Sequence, residues 1–120
     1  TKFSDPSTLP AGASLAVGFS KAGDAVACAH VGSPYVTAYP WSGSGFGTKF
    51  SNPGTLPANI GRGVVWSNGD GAIFVGHDAS PFLSAYAWSG SGFGTKYSDP
   101  GTALPGASVR GRLVRYGGPL

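Results

Sequence analysis

The chain has no methionine, a single cysteine, few charges and no long apolar run, and each shortage closes off a class of protein. With Cys28 alone, neither an intrachain disulfide nor a thiolate metal cluster can form. No hydrophobic stretch approaches the ~20 residues of a membrane-spanning helix. No basic-then-apolar leader opens the chain, which leaves export unaddressed. Thr1 is not a retained initiator, so the N-terminus was processed or the chain is a piece of something longer. Only 11% of the residues are charged, and the net charge of +3 gathers late, in Arg110, Arg112 and Arg115. A nucleic-acid binder would build its basic face into the repeated unit, and only Lys2, Lys49 and Lys96 recur, so nucleic acid is not an expected partner.

Glycine and proline are abundant instead, at 21 and 10 residues in 120. Such a composition touches the low-complexity range, but 12% aromatics and plentiful Val, Ala and Leu are too many for a disordered chain. Short strands joined by many turns reconcile the two.

The sequence repeats at a period of 47 residues. Thr1-Lys2-Phe3-Ser4 returns as Thr48-Lys49-Phe50-Ser51 and as Thr95-Lys96-Tyr97-Ser98. Trp41-Ser42-Gly43-Ser44-Gly45-Phe46-Gly47 returns unchanged from Trp88 to Gly94. Residues 1–47 and 48–94 align without a gap and are identical at about half their positions, and 95–120 form a partial third repeat with a diverged basic end. A period in the forties marks one supersecondary unit that must stack on copies of itself to bury its faces.

Within one repeat the residues predict four strands. Leu15–Phe19 is short and apolar, and Ser20–Asp24 is a turn by composition. Ala25–His30 is a second strand, Val31–Pro34 a second turn, and Tyr35–Trp41 a third strand rich in aromatic and β-branched residues. The Ser-Gly hairpin then leads into Phe46–Phe50, and the segment from Asn52 to Gly61 crosses to the next unit. The second repeat gives Val64–Trp66, Ala72–His77, Phe82–Trp88 and Phe93–Tyr97. Several strands are apolar on both faces, as a sheet held between neighbours requires. Helical periodicity is absent, so the expected class is all-β.

Four short antiparallel strands per repeat describe a β-propeller blade. Val17 through Asp24 resembles the first strand and "Phe-Ser-Pro-Asp-Gly" turn of the WD-repeat family, and Tyr35 through Trp41 resembles its third strand. The resemblance implies a β-propeller of four-stranded antiparallel blades. Trp41 and Trp88 are followed by Ser rather than Asp, and the family's Gly-His pair is missing, so this blade must rely on packing rather than a buried polar network. The repeat length and aromatics also bear a weaker resemblance to tachylectin-type lectin propellers.

Closed propellers need 4–8 blades, and this chain supplies about two and a half. Open sheet faces and strand edges promote association. The expected partners are therefore identical chains, with the ring completed by oligomerisation as a dimer or trimer, and Lys2-Phe3 completing a blade begun on a neighbour. Alternatively the chain is an excised part of a longer propeller. Ser108–Tyr116 offers at most one further strand.

Six residues are candidate ligand contacts. His30 and His77 share one repeat position, where symmetric histidines could gather a metal, or each could be half-buried and bonded to a neighbouring loop. Tyr39 and Trp41, with Tyr86 and Trp88, lie on one face of the third strands beside Gly/Ser loops. They suit stacking on sugar rings, or they fill the space between blades. No nucleophile, base and orienter stand together, so no enzyme, cofactor or metal is expected. The expected function is a self-assembling structural scaffold that binds a protein partner, the alternative a multivalent lectin. Recent duplication of this kind fits structural and surface-display proteins, viral ones included, by analogy.

Overall fold

Turn chemistry sets where each strand begins. A computed structural model describes residues 1–106. The strand expected in Ser108–Tyr116 and the arginines 110, 112 and 115 lie outside the described residues. Ser20 Oγ accepts the backbone N–H groups of Asp24 and Ala25 at 3.2 and 3.1 Å, closing the first turn. Ser67 does the same for Ala72 at 3.0 Å in the second repeat. The Ser-Gly hairpins turn at Gly43 and Gly90, whose φ of 92° and 89° suit a residue without Cβ.

These turns bound β1 (Ser14–Phe19), β2 (Ala25–His30) and β3 (Val36–Pro40), an antiparallel sheet in that order. A second antiparallel sheet runs β4 (Gly61–Trp66), β5 (Ala72–His77), β6 (Leu83–Trp88) and β7 (Phe93–Lys96). There is no helix among the described residues, and the chain is all-β.

Two boundaries differ from expectation. Tyr35 and Phe82, expected to open the third strands, belong to the turns before them, with φ of 72° and 71°. The expected fourth strand Phe46–Phe50 is reduced to a lone Trp41–Phe46 bridge and two bonds, Gly47 N–H to the Pro40 carbonyl (2.8 Å) and Phe50 N–H to the Ala38 carbonyl (2.9 Å). Pro40 has no N–H to return the bond from Gly47, so the ladder is one-sided there.

Each sheet has a front face and a back face. On the first sheet Val17, Val26, Cys28 and Tyr39 share the front, paired across strands as Val17–Cys28 and Val26–Tyr39. Its back face, Ala25, Ala27, Val36 and Ala38, packs on the front of the second sheet, which presents Val64, Ile73, Val75, Tyr86 and Trp88. This is the core. Small residues on one side and large ones on the other let the layers close, and each fully buried large side chain contributes ~1.5–3 kcal/mol. At Gly18 the approach is close: a Cβ there would stand 3.3 Å from the Val64 carbonyl oxygen. Asp70, in the turn before β5, spans the two units by accepting the N–H groups of Lys21 and Ala22 at 2.7 and 2.9 Å.

The linker 51–60 joins the two sheets, with Pro53 and Pro57 buried. Phe50 begins that passage and holds both sheets: its backbone bonds Ala38 while its ring meets Trp88 edge-on at 5.1 Å and 84°. Trp66 and Phe93 meet the same indole at 5.5 and 5.3 Å. Phe50→Ala is expected to cost about 2–4 kcal/mol, read as a lower urea midpoint. Phe3→Ala, at the same repeat position but 50% exposed, is expected to cost less than ~1 kcal/mol. Equal losses would show that the second-sheet seat of Phe50 confers nothing.

Candidate functional site

The two repeats have nearly the same apolar residues in very different surroundings. Val17 is 69% exposed, whereas Val64, its counterpart 47 residues on, is 5% exposed and lies in the core. Phe19 is exposed and its counterpart Trp66 is half-buried. Most of the exposed large apolar side chains, among them Phe3, Leu9, Leu15, Val17 and Phe19, lie in the first repeat, and the remaining two, Tyr97 and Leu104, lie in the third copy of the linker. The front of the first sheet is thus the surface that in the second sheet is covered by a neighbouring unit.

Over that front runs the segment 1–13, with Pro6 and Pro10 roofing a hollow of ≈ 180 Å³ above Val17, Val26, Cys28 and Tyr39. Burial pushes the Cys28 thiol up from its ordinary pKa, with the Ser14 side chain acting weakly against it, so the sulfur behaves as a small apolar group. Burial likewise pushes Tyr39 up to about 12. Its hydroxyl donates to the Thr8 carbonyl at 2.6 Å, the one polar tie between segment 1–13 and this face that involves a side chain of the sheet.

The second sheet's back face carries Ala72, Phe74, Leu83 and Ala85, all half-buried. Their counterparts Ala25, Ala27, Val36 and Ala38 are the residues that face the core. One more difference separates the units. Arg62 Nε and Nη2 each reach an Asp78 carboxyl oxygen at 2.8 Å, and this guanidinium holds the Asp78 carboxyl below the usual carboxylate range. The first repeat has exposed Leu15 and Val31 at those two positions.

The six residues picked from the sequence are distributed unevenly. Tyr86 and Trp88 are buried in the core, and burial pushes the Tyr86 hydroxyl up to about 12, with the Ser84 side chain acting against it. They fill space between units and present no stacking face. Tyr39 is buried beneath segment 1–13, and Trp41 is half-buried, ringed edge-on by Phe3 at 5.2 Å, Phe46 at 5.2 Å and Phe19 at 6.2 Å. Beside Trp41 the loop Ser42–Gly47 encloses a shallow hollow of ≈ 420 Å³, with Ser42 Oγ and Ser44 Oγ 3.1 Å apart.

His30 and His77 are wholly buried rather than half-buried, and through Nε2 each meets a strand side chain. His30 Nε2 meets Thr37 Oγ1 at 2.8 Å, and His77 Nε2 meets Ser84 Oγ at 2.8 Å. Each is a polar pin across β2–β3 or β5–β6, and the two sit in different sheets. No group of three or more His, Cys, Asp or Glu side chains converges among the described residues.

Sequence reasoning passed over the front of β1, Phe74, Leu83 and Asp70. The signal that marks Phe74 and Leu83 is a comparison of size between repeats, Ala27 against Phe74 and Val36 against Leu83, and for Asp70 it is the Gly23 that stands in its place.

No family model, no curated protein and no solved structure matches the chain.

Burial holds both imidazoles below their ordinary pKa, opposed by the backbone at Gly32 for His30 and at Ala79 for His77. The unfolded chain therefore takes up protons before the folded one. Stability is full above about pH 6.5, the unfolded value, and falls as acidity approaches the depressed folded-state values. The urea midpoint is expected to drop between neutral pH and pH ~5, and a His30→Gln/His77→Gln variant should lose that dependence. A parent midpoint that stays flat across the window would contradict it.

Proposed function

We propose that the chain is a non-enzymatic scaffold whose repeats are propeller blades and whose copies assemble head to tail. The observation that carries this reading is the pairing of two open faces with one closed contact. Inside the chain, the back of unit one covers the front of unit two. Among the described residues no second sheet covers the front of unit one, which only segment 1–13 roofs, or the half-buried back of unit two, the same two surfaces one step along the repeat. A heterologous contact of this kind closes into a ring or continues as a filament, according to the angle between units.

The side-chain sizes support it. On the open front, Val26 and Cys28 are smaller than Ile73 and Val75; on the open back, Phe74 and Leu83 are larger than Ala27 and Val36. The open back is larger where the open front is smaller, the direction of change that close packing between copies calls for. The joint between copies is wider than the internal one at its inner strands, where Ser14 and Val65 stand in place of Gly61 and Gly18.

A second reading, carbohydrate binding, draws on the half-buried Trp41 beside the Ser42 and Ser44 hydroxyls. A glycan array with Trp41→Ala as control tests it, and binding that survives the substitution would remove it.

Native mass spectrometry over a dilution series is expected to show integral multiples of the chain. Val17→Asp disables only the front and Leu83→Asp only the back, so each alone should be monomeric. Mixing the two should restore one-to-one dimers, because each variant keeps the face the other has lost. Parent chain that remains monomeric at every concentration would overturn the scaffold reading.

A further inference from the structure

The segment 1–13 is nearly repeated at 95–107, and the copy between them, 48–60, shows what such a segment does when both of its neighbours are present. Its third residue, Phe50, gives its N–H to the Ala38 carbonyl of the unit behind and its ring to Trp88 of the unit ahead. Its prolines, Pro53 and Pro57, are buried.

The other two copies each make half of this arrangement. Tyr97 gives its N–H to the Ala85 carbonyl at 2.8 Å, as Phe50 does to Ala38, but its ring is 51% exposed. Phe3 has the complementary half. Its ring meets Trp41 at 5.2 Å and 88°, yet it is 50% exposed, and the side-chain tie holding its segment down is the Tyr39 hydroxyl on the Thr8 carbonyl. Beneath Pro6 and Pro10 lies the hollow, which no described residue fills.

One seat therefore has two claimants once copies stack. We propose that in the assembly Tyr97 of one copy replaces Phe3 against Trp41 of the next, so that residues 1–10 are a resident placeholder which competes with self-assembly. This rests on the head-to-tail reading and continues the interface already formed inside the chain. The replacement is chemically conservative, since a phenol substitutes for a phenyl on a residue that is already half exposed. The segments match at Lys2–Asp5 and Lys96–Asp99 as well, where each lysine pairs with the carboxylate three residues on. The invading segment thus arrives with the same local fold as the one it displaces.

The sign of one substitution separates this from general stickiness. If exposed apolar surface alone drove association, Phe3→Ala would weaken it. A placeholder predicts the reverse, because loosening Phe3 frees the seat. In the full chain, sedimentation velocity is expected to show the dissociation constant falling about tenfold for Phe3→Ala and rising about tenfold for Tyr97→Ala. Both residues are half exposed, so neither variant should fail to fold, and circular dichroism checks this. A second pair, Phe3→Ser and Tyr97→Phe, should strengthen association and leave it unchanged, respectively. If the parent associates but Phe3→Ala weakens or does not alter it, the placeholder falls and the head-to-tail contact stands. If neither parent nor Phe3→Ala associates, the contact itself is wrong and the placeholder falls with it.

Discussion

A sheet with apolar side chains on both faces has no side that water tolerates, and one contact in this molecule relieves that condition for half of the surface. Ala25, Ala27, Val36 and Ala38 settle on Val64, Ile73, Val75, Tyr86 and Trp88. The small back and the large front are different surfaces, so the contact has direction. A unit can offer its back to the next but cannot pair front to front with the same fit. Direction, more than area, is what makes a stack of such units ordered, and it is why the edge of the stack is defined at both ends.

Much of the architecture was legible because period-two apolar patterns and Ser/Gly/Asp turns are local signals. The second strands, Ala25–His30 and Ala72–His77, match the expectation residue for residue. The misses have local causes of another kind. Tyr35 and Phe82 look like strand residues by propensity, but the turn before them needs a left-handed backbone there. Phe46–Phe50 reads as a strand until Pro40 is seen opposite Gly47, removing a donor that only pairing makes relevant. His30 and His77 were legible as a repeated pair, whereas their full burial against Thr37 and Ser84 depends on which residues face each other across the strands.

The candidate site was less legible, because burial belongs to neighbours and not to residues. Trp41 and Trp88 stand in identical heptapeptides, yet one is ringed at an open face and the other is closed into the core. Nothing within either heptapeptide distinguishes them. The difference shows only at diverged positions such as Leu15 and Val31 against the Arg62–Asp78 pair, where one unit has adapted to an internal place and the other has not.

The grip of Asp70 on the backbone of Lys21 and Ala22 has a mechanical meaning. The corresponding position in the first repeat is Gly23, which has no side chain to offer. In the proposed head-to-tail stack, a seam between molecules would therefore lack the clasp that the seam within a molecule possesses. Bending, thermal breathing or an applied load would open the array at alternate seams, leaving two-unit blocks intact, so the stiff element of any larger object built from this chain is the pair of sheets and its compliant element is the joint between chains.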